Sequence, residues 1–304
     1  MRQAGLYFLL LLAVASGCDR SSVVPKVEEE FNELKVMTFN VLYSVDNSIT
    51  LKVLRETFPD VIGFQEISVE KLNDLATKLK YHQHHFPKTR ANMSNQDTGI
   101  LSRFPIVRLL TDGVVVQVNK NLQVAVFTVH LSPYPYEPYD FRDGIITTPE
   151  QAIGSASQTR LPEIGPVITQ IESMKAENIP VFVTGDFNEP SHLDWNATTA
   201  ASNLHFGKTV SWPVSNAVAD AGLIDAYRLK FSNAANFPGN TWTPIRTPDE
   251  VYDRIDIIYH SPDNAYSLND IRLVGGPLDG SGISVEGYAS DHFAVVATYS
   301  LNTQ

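Results

Sequence analysis

The sequence predicts an α/β protein built from two packed sheets with helices outside them. Short apolar runs of strand character recur along most of the chain. Amphipathic stretches of helical spacing lie between them, but not in a strict βαβ order. The composition is that of a folded protein: 304 residues, 43% hydrophobic, 19% charged and 10% aromatic. That length suits one large domain as well as two small ones.

Leu34–Val41 alternates and reads as a strand. Ile49–Phe58 has helical spacing, and Pro59 stops it. Asp60–Gln65 is a short apolar strand, and Val69–Leu79 is an amphipathic helix. Thr98–Ser102, Val114–Val118 and Leu122–His130 read as strands. Ser132–Thr148, rich in Pro, Tyr, Asp and Gly, reads as a long loop. Ala156–Ala176 is mostly helical, Ile179–Thr184 is a buried strand, and Ser191–Pro213 is loop-like. Arg254–Tyr259, Ile271–Val274 and Phe293–Tyr299 complete the strands. The chain has no internal repeat and no low-complexity segment.

The 34 acidic against 23 basic side chains give a formal charge of −11. This argues against a surface that wraps a polyanion. It leaves a nuclease open, because metal ions offset local charge. One cysteine excludes an internal disulfide framework and a cysteine-based zinc site.

That cysteine follows an apolar run over residues 6–15, preceded by Arg2. The run is too short to span a bilayer and has the shape of a secretory h-region. Ala15-Ser16-Gly17-Cys18 resembles the lipobox of bacterial lipoproteins. The resemblance implies a signal peptide over 1–17, a lipidated Cys18 with a polar tether over 18–33, and a domain over 34–304. The protein is then expected to be exported and membrane-anchored by its lipid, on the periplasmic or cell-surface side. Asp19 resembles the inner-membrane retention signal of some lipoproteins.

Polar residues interrupt or end apolar strands where a packed core does not want them. They are Asn40 in MTFNVL, Glu66 in VIGFQEI, His130 in FTVHLS, Asp186 and Asn188 in VFVTGDFNEP, Asp256 in DRIDIIY, and Asp291-His292 in SDHFAV. Each alone has an ordinary explanation as a turn former or a satisfied buried ring. Together and in this order they resemble the endonuclease/exonuclease/phosphatase superfamily, over about Leu34 to Leu301. The resemblance implies a four-layer α/β/β/α sandwich, DNase I-like, with the active site at one end of the two sheets. It also implies a metal-dependent phosphoesterase.

The implied metal set is Glu66, with Asn40 nearby and Asp291 in or behind it. Hard oxygen ligands suit Mg²⁺, and Mn²⁺ could substitute. His292 resembles the base that activates water, or a stabiliser of the phosphoryl oxygens. Asp256 matches the carboxylate that orients it, with Asp253 in reserve. Asp186 and Asn188 would position water and phosphoryl oxygens, and His130 would donate to an oxygen or help the leaving group. No serine or cysteine nucleophile pattern is evident, which suits direct attack by water.

The substrate is less legible. Candidate contacts are Tyr139 in the aromatic stretch 133–143, His192 and Trp195 directly after GDFNEP, and Arg160, which could pair with a phosphate or with a structural carboxylate. The stretch 240–244 is a further candidate wall. His82, His84 and His85 read as surface residues. Few Lys or Arg lie in the loops, so a small or moderate phosphate ester is expected, and nucleic acid is possible but not favoured. A sphingomyelinase-like enzyme would want an apolar hairpin, and an inositol phosphatase would want clustered basic residues. A non-catalytic binding module on the same fold is the reading from another class.

Overall fold

The alternation of the strands decides the architecture. In a strand, successive side chains point to opposite faces, and here both faces of the main strands are apolar, so each strand is buried on two sides. The computed structural model describes residues 31–87, 97–276 and 282–302. The expected signal peptide, Cys18 and most of the expected tether lie outside these residues.

One sheet holds, in spatial order, β12 (Ile283–Ser284), β11 (Tyr266–Gly275), β13 (Ala294–Leu301), β1 (Glu33–Asn40), β2 (Val61–Gln65), β4 (Thr98–Ser102) and β3 (His82–Phe86). The other holds β5 (Ile106–Leu110), β6 (Gly113–Asn119), β7 (Leu122–His130), β8 (Val181–Asp186), β10 (Asp256–His260) and β9 (Ile224–Asp225). β1 pairs parallel with β2 and antiparallel with β13, while β8 pairs parallel with β7 and antiparallel with β10.

The inner faces interdigitate through Leu34, Val36, Val61, Val124, Val126, Phe182, Ile258 and Val295. The outer face of the first sheet packs Met37, Phe39, Ile62 and Phe64 against α1 (Asn47–Thr57) and α2 (Val69–Leu79), which bring Leu51, Leu54, Leu72 and Leu75. The outer face of the second packs Phe127, Val129, Val181 and Val183 against α5 (Leu161–Ala176) and α7 (Pro213–Asp220). The result is an α/β/β/α sandwich. Asp46 and Ser68 cap α1 and α2 by accepting Ser48 and Lys71 backbone N–H groups.

The structure corrects the reading of several segments. The stretch 132–148 is not all loop: it contains α3 (Glu137–Arg142), whose Pro138 sits in the first turn, where its missing N–H costs nothing. The helical stretch before Ala176 is two helices, α4 (Pro149–Thr159) and α5, which meet at Arg160. Residues 191–213 contain the short α6 (Ala197–Ala201), and α8 (Ala226–Lys230) follows β9. His82, His84 and His85 lie on the edge strand β3, where polar residues hide the alternation.

Candidate active site

Four inward-pointing series grade from apolar to polar toward the same end of the sandwich. They are Leu34-Val36-Thr38-Asn40, Val124-Val126-Thr128-His130, Phe182-Thr184-Asp186 and, reversed, Ile258-Asp256. Register brings their ends together: Asp186 lies opposite His130 on one side and Asp256 on the other. A floor of neutral polar groups lies one step below. Gln65 Nε2 donates to Thr128 Oγ1 at 2.9 Å, Thr38 Oγ1 donates to Gln65 Oε1 at 3.3 Å, and Thr184 Oγ1 donates to Phe127 O at 2.9 Å. Each polar atom named there has a partner, as burial between two sheets demands. Gly63 leaves room for them, because a Cβ there would stand 1.9 Å from Thr184 Oγ1.

Above this floor, His292 donates Nδ1–H to Asp256 Oδ2 at 2.9 Å. Its Nε2 faces Asp186 Oδ2 at 3.7 Å, and His130 Nε2 faces the same oxygen at 3.6 Å. Both separations are ion-pair range, short of a direct hydrogen bond. Asn40 Nδ2 donates to Asp186 Oδ2 at 3.1 Å and to Glu66 Oε1 at 3.3 Å. Glu66 also accepts the Tyr43 N–H, and Asn40 Oδ1 accepts the Leu42 N–H at 3.1 Å. Asn188 donates its N–H to Asp186 Oδ1 at 3.0 Å and its amide to Leu131 O at 3.0 Å, so it fixes Asp186 from behind.

Second contacts hold these groups. Thr241 Oγ1 accepts the N–H groups of Ile255 and Asp256. Ser290 Oγ donates to Asn40 O at 2.6 Å and accepts the His292 N–H at 3.1 Å. Tyr288 donates its hydroxyl to His292 O and stacks on Phe39, with ring centroids 5.8 Å apart. The Trp242 ring lies 4.9 Å from the His292 ring.

Burial alone would push the His292 imidazole down, but Asp256 and then Asp186 outweigh it and hold it up at about 10. Burial raises Glu66 and Asp186 above the usual carboxylate range, against the pull of His292 on both. His292, clamped between the Asp256 and Asp186 carboxylates, is therefore held as a cation at neutral pH. It is suited to hold a phosphoryl oxygen, and Asp186 is the group left to accept a proton from water.

The donor set fits a divalent cation. Glu66, Asp186, Asp256 and Asp291 supply hard oxygens. Asp256 Oδ1 and Asp291 Oδ1 are buried without a hydrogen-bond partner, a costly state unless something positive lies beside them. The ligand atoms that converge most tightly are those of Asp186, Asp256 and His292, within 4.8 Å of one another. Glu66 and Asn40 flank this group through the Asn40 amide.

The remaining candidates fall elsewhere. Asp253 faces away from His292 and accepts from Tyr136 Oη at 3.0 Å and Trp195 Nε1 at 2.9 Å. It precedes β10, and only residues on the inward-facing side of that strand reach the site. Trp195 is 0% exposed, stacked among His205, Trp212 and Phe141, so it is no substrate contact. Arg160 is likewise interior. It pairs with Glu137 at 2.9 Å, and its other donors go to Ser132 O and Pro135 O, which pin the 132–143 segment in place. For both, a one-dimensional position beside a site motif did not reveal the direction of the side chain. His192 is half-buried, with Nδ1 2.9 Å from Ser215 Oγ; the charges that act on it are Asp225, Asp194, Arg254 and Asp220, not the catalytic carboxylates. Tyr139 does reach the rim: it accepts from Trp242 Nε1 at 3.0 Å and donates to Glu250 Oε1 at 2.6 Å.

Sequence reading missed Glu250, Tyr288 and Ser290. Ser290 begins the SDH motif and so carried a signal. Glu250 and Tyr288 carried none, because their roles depend on partners far away in the chain.

An acid–base pair, a second histidine and a cation-ready set of carboxylates at the end of an α/β/β/α sandwich define a phosphoesterase-class enzyme. Residues 37–292 match the model of the Endonuclease/Exonuclease/phosphatase family, and the chain belongs to that family. Its enzymes cleave phosphate esters, generally with a divalent metal. An uncharacterised protein of Caenorhabditis elegans is 28% identical over 295 residues, covering 88% of this chain and 92% of its own. Among solved structures, D. rerio TDP2 complexed with a single-strand DNA product is 17% identical, with a TM-score of 0.54, covering 90% of this chain and 100% of that one. The human Nocturnin catalytic domain with bound sulfate is 17% identical, with a TM-score of 0.52, covering 89% of this chain and 95% of that one. At these identities the solved structures speak for the fold.

Proposed function

We propose that the protein is a divalent-metal-dependent hydrolase of phosphate esters that acts outside the cytoplasm by in-line attack of water. The observation that carries this is Asp186, a buried carboxylate facing two histidine Nε2 atoms and the Asn40 amide on one oxygen. Glu66 and Asn40, joined through the Asn40 amide, together with Asp291 would hold Mg²⁺ or Mn²⁺, which would supply charge neutralisation at the phosphoryl oxygens. His292, kept charged by Asp256, donates Nε2–H to one of those oxygens as charge develops. His130 donates to another oxygen or to the leaving group. Asp186 orients the attacking water and takes its proton. The cleaved bond is P–O, and its electron pair leaves with the alcohol.

The test is turnover of a chromogenic phosphodiester and its monoester with Mg²⁺, Mn²⁺ or EDTA. EDTA should abolish turnover, and His292→Ala and Asp186→Ala should each lower kcat/KM by about 10²-fold or more. Near-normal rates in both variants at saturating Mg²⁺ would refute the scheme.

A secreted nuclease is the second reading, favoured by the DNA product bound to the TDP2 relative. A steep ionic-strength dependence on DNA would support it. Export rests on the lipobox resemblance at Cys18, and lipid labelling of wild type but not of Cys18→Ala is the expected result.

A further inference from the structure

Beside His292 stands a wall whose polar edge is tied together. Trp242 is fixed by its backbone, with Trp242 N donating to Asp253 O at 3.0 Å and Asp253 N donating to Trp242 O at 3.1 Å. Its indole Nε1 points away from the backbone to Tyr139 Oη at 3.0 Å and Glu250 Oε1 at 3.1 Å. Tyr139 Oη donates to the same Glu250 oxygen at 2.6 Å, and Val251 N donates to it at 2.9 Å. Three donors, from the distant Tyr139, from Trp242 and from the adjacent Val251, thus converge on one carboxylate oxygen, a single indole away from the His292 ring.

None of those three donors is a cation. Arg142 lies over the Tyr139 ring at 4.5 Å, but its guanidinium is given to Asp143 at 2.7 and 2.9 Å and to Asp249 O at 3.0 Å. A neutral amide oxygen would accept the same three hydrogen bonds. What the carboxylate adds is a fixed negative charge, next to a site that must bind an anion.

We propose that Glu250 is a specificity-determining residue, which admits esters with one phosphate and an uncharged group on the Trp242 side and disfavours substrates that place a further phosphate there. This rests on the phosphoesterase reading above and names its substrate class. The Glu250 oxygen lies 3.1 Å from the indole whose ring packs 4.9 Å from the His292 ring, so one unit of charge is worth about threefold to tenfold in discrimination at low salt and less as salt screens it.

The test compares bis(4-nitrophenyl) phosphate with a short oligothymidylate in wild type, Glu250→Gln and Tyr139→Phe. Glu250→Gln keeps an acceptor for all three donors and removes only the charge. It should raise the kcat/KM ratio of oligothymidylate to the small diester by about threefold to tenfold at low salt, with the gain fading at high salt. Tyr139→Phe keeps the charge and should leave the ratio near that of wild type. An unchanged ratio in Glu250→Gln, or an equal shift in Tyr139→Phe, overturns the proposal. Fluorescence anisotropy of labelled oligothymidylate reads the same preference without turnover, as threefold to tenfold tighter binding by Glu250→Gln, roughly. Silence of wild type on both substrates would therefore count against the phosphoesterase reading, while the binding comparison still decides the role of Glu250.

Discussion

Replacing Asp256 by Asn keeps the shape of the side chain and removes the charge that faces His292 Nδ1 at 2.9 Å. Burial pushes this imidazole down, while the charge and hydrogen bond of Asp256, the charge of Asp186 and, least, that of Asp291 push it up to about 10 from 6.5. With Asp256 neutral, burial remains and the largest opposing charge is gone. The imidazole should therefore titrate well below the wild-type ring, each unit of the fall being about 1.4 kcal/mol of lost preference for the charged form. At pH 8 the wild-type ring is almost wholly charged, and a much larger share of the variant rings is neutral. The loss of a charged donor to the phosphoryl group should lower kcat/KM by about 10²-fold or more.

The sign of the stability effect follows. A raised folded-state value means that His292 stabilises the fold fully below pH 6.5, and that this contribution is lost as pH rises toward 10. In Asp256→Asn that dependence should largely vanish. The assay is an imidazole NMR titration of isotope-labelled, EDTA-treated protein, beside urea unfolding across the same pH range. A His292 signal that titrates at the same pH in variant and wild type would refute the reasoning, since some other group would then be holding the charge.

Two further outcomes test the scaffold. Arg160→Met strands the buried Glu137 carboxylate and should cost about 3–5 kcal/mol in urea unfolding. Adding Glu137→Met should recover much of that; lowered substrate affinity with unaltered stability would instead return Arg160 to the substrate. Gly63→Ala drives a methyl into Thr184 Oγ1 and disturbs the polar floor between the sheets, so it should destabilise by about 1–3 kcal/mol. An unaltered thermal midpoint would show that the two sheets can separate there without strain.

Much of the site was legible because it obeys the period of a strand. Asn40, His130, Asp186 and Asp256 continue inward-facing series, so a polar residue at each of those positions violates a pattern that the sequence itself sets up. The strands Thr98–Ser102 and Leu122–His130 and the helix Val69–Leu79 were legible for the same reason, since local periodicity determines them. Arg160 and Trp195 misled because nearness to a motif along the chain says nothing of direction. Arg160 turns into the interior toward Glu137, and Trp195 turns toward Asp253, a residue 58 positions away.

The sequence by itself determined the two-sheet architecture, the strand ends that carry the chemistry and the residue types offered there, because these follow from local pattern. Only the tertiary structure decided which groups meet. It paired His292 with Asp256 and turned Asp253 away, set Asp186 between two histidines, and joined Tyr139, Trp242 and Glu250 into one wall. The physical reason is range. Periodicity and capping act over a few residues, whereas the field that holds a buried imidazole charged is the sum over carboxylates brought close only when the two sheets close on each other.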